Sequence, residues 1–147
     1  MDESVYTGLE CFESVWRRVT GETESEDGAD RLRRLIQAES DAAALCSALA
    51  RRCTGAAAAL SSIAADDARH AALLQLELFL LTGDTFAPER RVTDAQGVLS
   101  ALRSGYLAKR QSEREYRALG AEYAAIADDE ARHAQSLRSV IAGFFGK

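Results

Sequence analysis

The chain holds two histidines, and each stands three residues after an acid: Asp67 before His70 and Glu130 before His133. Residues three apart on a helix share a face, with Cβ atoms roughly 5–6 Å apart. A carboxylate oxygen and an imidazole nitrogen at that spacing can reach one metal ion, or two adjacent ions. Both pairs sit inside a gapless repeat. Ile63 to Ala71 (IAADDARHA) matches Ile126 to Ala134 (IADDEARHA), and Leu74 and Leu137 extend the match. A single acid-x-x-His pair is ordinarily a solvated helix face. Two pairs in a matched repeat, using every histidine in the chain, point to a carboxylate–histidine metal site. Two further helices are expected to supply one acid each.

The apolar pattern predicts the helices that carry these residues. The first long helix spans roughly 29–53, with the stripe Leu32, Leu35, Ile36, Glu39, Ala42, Ala43, Cys46, Leu49 and Cys53. The second, roughly 56–81, carries Leu60, Ile63, Asp67, His70, Leu74, Leu78 and Leu81 and ends at Gly83. A loop with Pro88 leads to a third helix near Asp94, a candidate N-cap. Its stripe is Val98, Leu102, Tyr106, Lys109, Glu113, Tyr116 and Leu119. After a break at Gly120 the fourth carries Tyr123, Ile126, Glu130, His133, Leu137, Ile141 and Phe144. Ahead of these, Val5, Leu9, Phe12, Trp16 and Val19 predict a short amphipathic helix over 1–20, separated by a polar loop from a bundle domain over 28–147.

Glu39, Asp67, His70, Lys109, Glu130 and His133 all interrupt apolar stripes. A buried charge costs several kcal/mol unless it is paired, protonated or metal-bound. Such intrusions, one or more per long helix and each mid-helix, imply a shared polar centre. The fold class that follows is all-α, a four-helix bundle with an extra N-terminal helix.

Composition narrows the remaining classes. Of the 147 residues 47% are hydrophobic and 28% charged, which reads as globular rather than disordered. The formal charge of −5, without a basic patch, argues against nucleic acid and anionic membrane as partners. The longest apolar run, Leu76 to Leu81, is too short to span a bilayer. No signal-peptide pattern opens the chain, so a cytoplasmic location is expected. Cys11, Cys46 and Cys53 form no Cys-x-x-Cys pair, which leaves a cysteine-bound metal unsupported. Cys46 and Cys53, seven apart on one helix, stand roughly 10 Å from each other, too far for a disulfide. Reduced, buried thiols are expected.

The motifs resemble those of the rubrerythrin branch of the ferritin-like superfamily. Glu39-Ser-Asp-Ala-Ala-Ala-Leu45 with Ala65-Asp-Asp-Ala-Arg-His70-Ala71 looks like that family's first helix pair, and Glu130-Ala-Arg-His133 like its second Glu-x-x-His. The resemblance covers about Leu32 to Val140. It implies a ferritin-like four-helix bundle, a carboxylate-bridged di-iron centre, reduction of peroxide or oxygen under oxidative stress, and a homodimer. The rubredoxin module of some members is missing, so an external electron donor is implied. The metal ligands under this reading are Glu39, Asp67, His70, Glu130 and His133, with Glu113 as a sixth. Iron is the expected cofactor, with manganese or zinc as alternatives.

Two departures from the family pattern bear on occupancy. Asp67 stands where the family has Glu, one methylene shorter. Aligning Tyr116 with Cys46 sets Lys109 opposite Glu39, where a third-helix glutamate is expected. A protonated lysine does not ligate metal, and it repels a nearby cation. Glu113, one turn beyond, is the candidate replacement; its alternative is a half-exposed acid in a charged run. Two metals, one metal or none therefore stay open. So do three functions: a metal-dependent oxidoreductase, a degenerate bundle serving as a structural or interaction module, and iron binding or storage. Tyr106, Tyr116 and Tyr123 are candidates for relaying electrons or protons, or for core residues with one hydrogen bond each.

Overall fold

The computed structural model describes residues 27–91 and 97–146. The expected N-terminal helix over 1–20, Cys11 and Asp94 lie outside them. Among the described residues all regular structure is helical, in four long helices: α1 (Gly28–Arg52), α2 (Ala57–Thr82), α3 (Val98–Leu119) and α4 (Ala124–Gly143). Short 3-10 turns, Thr54–Ala56 and Ala121–Tyr123, join α1 to α2 and α3 to α4.

Local chemistry sets the helix ends. The Asp27 carboxylate accepts the Ala29 N–H at 3.1 Å and caps α1, while Arg51 and Arg52 complement the dipole at its far end. Gly83 stops α2 in the left-handed region at φ +79°, a conformation that costs other residues more. Gly120, at φ +125°, makes the break between α3 and α4. The third helix begins at Val98 after Gly97, later than the expected start near Asp94.

Two apolar clusters show how the helices run. At one end, Leu32 and Ile36 from the start of α1 meet Leu74 and Leu78 from the end of α2, Tyr116 from the end of α3, and Ile126 from the start of α4. At the other, Cys46 and Leu49 meet Leu60, Ile63, Leu102 and Leu137. Thus α1 and α2 form one antiparallel hairpin and α3 and α4 another. The end of α2 lies at one end of the bundle and the start of α3 at the other, so α2 and α3 run parallel.

Two glutamines hold the chain that follows α2. Gln75 on α2 pairs through its side-chain amide with both the backbone N–H and C=O of Phe86. Gln37 on α1 does the same for Glu89, at 2.8 and 3.0 Å. Each amide satisfies backbone groups that a loop crossing the bundle would otherwise leave to solvent.

The stripes read from sequence are the core. All six interrupting polar residues are buried, between 0% and 4% exposed. They lie between the two apolar clusters, so the bundle is apolar at both ends and polar at its waist. Leu81 and Phe144 are corrections: both are exposed, at or just past the last turn of their helices. Among the described residues no helix is long and apolar enough to cross a membrane. Cys46 is buried, Cys53 partly so, and neither is in a disulfide.

Candidate metal centre

The repeat folds as a reciprocal bracket between α2 and α4. His70 Nε2 lies 2.8 Å from Asp129 Oδ2 on α4, and His133 Nε2 lies 2.8 Å from Asp66 Oδ2 on α2. A carboxylate accepts and cannot donate, so each Nε2 carries a proton. Each Nδ1 is thereby turned to the centre of the bundle. The arginines of the repeat close the outside. Arg69 reaches Asp129 at 3.0 Å, and Arg132 pairs with both Asp129 and Asp66. Asp66 is held below the ordinary carboxylate range, mainly by the hydrogen bond from His133. Asp129 is lowered too, because its bonds to His70 and Arg69 outweigh partial burial.

Inside the bracket, Glu39 of α1, Asp67 and His70 of α2 and Glu130 of α4 converge. One ligand atom from each lies within 4.8 Å of all the others. His70 Nδ1 stands 3.5 Å from Glu39 Oε2, 3.7 Å from Glu130 Oε1 and 3.9 Å from Asp67 Oδ1. None of these contacts is a hydrogen bond. Glu39 Oε2, Asp67 Oδ2, His70 Nδ1 and His133 Nδ1 are all buried without a hydrogen-bond partner. Buried polar atoms are rarely left so, and four of them on residues of one waist mark a place for a cation or for shared protons. His133 is adjacent but outside the tightest group, with Nδ1 3.4 Å from both Asp67 Oδ1 and Glu130 Oε1.

Lys109 enters from α3. Its Nζ donates to Asp67 Oδ1 at 2.5 Å and to Glu130 Oε1 at 3.0 Å, the two oxygens that stand 3.4 Å from His133 Nδ1. Burial favours the neutral amine, but the Asp67, Glu130 and Glu39 charges outweigh it and raise the lysine above its ordinary value. The ammonium is therefore a fixed cation. It sits against the two acids that a second metal would share with His133. Three carboxylates against one ammonium leave two negative charges, the complement of one divalent ion.

Burial also raises the Glu39 carboxyl, which the contact with His70 opposes. His70 and His133 are both raised, because their acidic neighbours outweigh desolvation; His133 reaches about 9. The centre can thus neutralise itself with protons, and a metal would displace them from Nδ1.

Glu113 is a correction to the expected ligand set. It is 23% exposed and its Oε2 accepts from Arg117 at 3.0 Å, one turn along the same helix. The α3 position that faces the centre belongs to Lys109, so Glu113 is turned to the flank. Five of the six expected ligands therefore gather at the waist. Asp66 and Asp129, which orient the histidines, are absent from the sequence reading. Their signal was present: they and the arginines are identical in both copies of the repeat.

A cleft between α1 and α3 reaches the site from solvent. Ala38, Ala42, Gly105 and Ala108 line it, with Glu39, Lys109 and Glu130 at its floor, in a cavity of about 320 Å³. Small side chains keep the helices close yet leave a passage. The chain matches no protein-family model, no curated protein and no solved structure.

Proposed function

We propose that the protein is a ferritin-like metalloprotein that holds one transition-metal ion at Glu39, Asp67, His70 and Glu130, and uses it for rubrerythrin-like reduction of peroxide or oxygen. The observation that carries the metal site is that one ligand atom from each of Glu39, Asp67, His70 and Glu130 lies within 4.8 Å of the others, and three of those residues hold a buried atom without a hydrogen-bond partner. The hairpin–crossover–hairpin topology supports the ferritin-like reading, since bundles of that class carry one long crossover. Nitrogen and oxygen donors without thiolate favour iron or manganese, with zinc also accommodated.

The residues divide the work. Glu39, Asp67, Glu130 and His70 would ligate the metal, which supplies redox cycling at a single ion. The carboxylates stabilise its higher charge. Asp129 and Asp66 hold the imidazoles by Nε2 and keep Nδ1 available, an arrangement that typically strengthens metal affinity. Lys109 neutralises Asp67 and Glu130 where a second ion would bind, and its N–H groups can donate to an anionic oxygen species at the cleft floor. The cleft admits small molecules such as peroxide; reducing equivalents come from an external donor.

Anaerobic loading with ferrous iron followed by elemental analysis tests the reading. One iron per chain is expected. Two per chain would remove Lys109 from its assigned place, and a protein that takes up none would sink the metal reading altogether.

The lysine also favours a second reading, a metal-free bundle in which Lys109 and the protonated histidines satisfy the acids and the fold serves as a structural module. A competition between protons and iron separates the two. The metal reading expects iron uptake to release protons; the metal-free reading expects neither uptake nor release.

A further inference from the structure

Two buried tyrosines lead from the metal centre toward the end of the bundle. Tyr116 on α3 is 1% exposed, and its hydroxyl donates to Glu39 Oε1 at 2.7 Å. The other oxygen of that carboxylate, Oε2, faces His70 Nδ1 and has no hydrogen bond. Glu39 thus joins the phenol on one side to the metal position on the other. Tyr123 packs against Tyr116 with ring centroids 5.9 Å apart and planes 31° from parallel. Its hydroxyl donates to Glu77 Oε2 at 2.7 Å, and Glu77 is half-buried on α2. Burial and the adjacent acids hold both phenols above the ordinary tyrosine range, so both rest protonated.

A phenol that gives up an electron must give up its proton as well, and a buried one needs an acceptor in place beforehand. Here each ring has its own carboxylate, and the rings touch. A tyrosine placed only to fill the core needs one partner of any kind. Two in ring contact, each committed to a different acid, one acid at the metal site and the other near the surface, make a continuous path.

We infer that Tyr116 and Tyr123 relay single electrons between the metal site and the bundle surface near Glu77, each handing its proton to the carboxylate it already contacts. The inference rests on the metal reading above. Tyr116 gives one electron to the peroxide-oxidised centre and its proton to Glu39, leaving a neutral phenoxyl radical. Tyr123 then gives one electron to that radical and its own proton to Glu77, while Glu39 returns its proton to the Tyr116 oxygen. A one-electron reductant at the surface restores Tyr123, which takes its proton back from Glu77. The net transfer is one electron from donor to metal, with no proton displaced.

The test uses the full chain loaded with ferrous iron, assayed for iron content, treated with hydrogen peroxide and frozen for electron paramagnetic resonance. Wild type is expected to show a tyrosyl radical that narrows when the protein is made with ring-deuterated tyrosine. Tyr116→Phe should lower the radical yield several-fold at equal iron content. Tyr123→Phe should retain a radical with a different hyperfine pattern, reduced several-fold more slowly by ascorbate. Tyr106, whose hydroxyl accepts from Arg110, is the control, and Tyr106→Phe should leave the yield unchanged. If Tyr116→Phe loads no iron, the deuterated wild type and Tyr123→Phe still decide. An iron-replete wild type without a tyrosyl radical, or a yield indifferent to Tyr116→Phe, overturns the relay and leaves the metal reading standing. A wild type that takes up no iron overturns both.

Discussion

Lys109 is the residue on which occupancy turns. As an ammonium between Asp67 and Glu130 it supplies in the chain what a second metal would supply from solution. Lys109→Glu should raise iron binding from one to two per chain, read by elemental analysis. The same substitution should destabilise the metal-free protein by about 3–5 kcal/mol in denaturant melts, since it leaves buried acids uncompensated. His133 gives the metal-free centre a pH dependence of definite sign. Its folded value, about 9, lies above the unfolded 6.5, because Asp67, Glu130 and Asp66 outweigh desolvation. Between those values the folded protein holds a proton that the unfolded chain has released. The resulting stability is complete below pH 6.5 and is lost as pH rises through about 9. Urea midpoints across that range, with chelator present, should fall as pH rises. A rise instead would mean that His133 is neutral in the fold. Cys46, pushed up to about 12 mainly by desolvation, stays a thiol in the fold while the unfolded thiol titrates near 9.0, so it adds to the fall only at the upper end of this range.

At the scale of elements, the bracket between α2 and α4 couples two helices to one site. Each helix supplies a histidine and also the aspartate that holds the other's histidine. Loss of one aspartate should therefore be felt on the opposite helix. Asp129→Ala should weaken iron affinity by about 10–100-fold, through the orientation of His70, with the helical signal of the protein unchanged. Chelator competition measures the first and circular dichroism the second; an unchanged affinity would mean that the aspartate is only a surface anchor for Arg69 and Arg132. The periodicity of both helices was legible in the sequence, because Leu60, Ile63, Leu74, Leu78 and Leu137 recur at helical spacing and all are buried. The bracket was not read from it. Asp66 and Asp129 sit one position off the core face, where an acid normally meets only water.

For the whole molecule, a polar waist between two apolar clusters would make a bound metal a stability term. The acids and histidines are held together by the packing on either side, and a metal that binds only the folded chain stabilises it by mass action. At a free concentration a thousandfold above the dissociation constant the gain is about 4 kcal/mol. Iron loading should therefore raise the melting temperature by several degrees, and chelation should return it to the metal-free value. A melting temperature indifferent to iron would favour the structural-module reading. The chain that follows α2 is held to this core as well, with Gln75 and Gln37 tying the backbone at Phe86 and Glu89 to α2 and α1.

The sequence by itself determined that the described chain is helical and which faces are buried, and it implied a shared polar centre for Glu39, Asp67, His70, Glu130 and His133. Those conclusions follow from the 3.6-residue period and from the cost of burying charge, both of which act within one helix. It also showed Lys109 to be out of place on an apolar stripe. Only the tertiary structure decided which acids the lysine serves, that Glu113 turns to Arg117, that Asp66 and Asp129 orient the opposite helix's histidine, and that Tyr116 binds Glu39. Each of these depends on the rotation and register of one helix against another. Spacing along a single helix carries no information about that, because the same face can meet its neighbour at several heights.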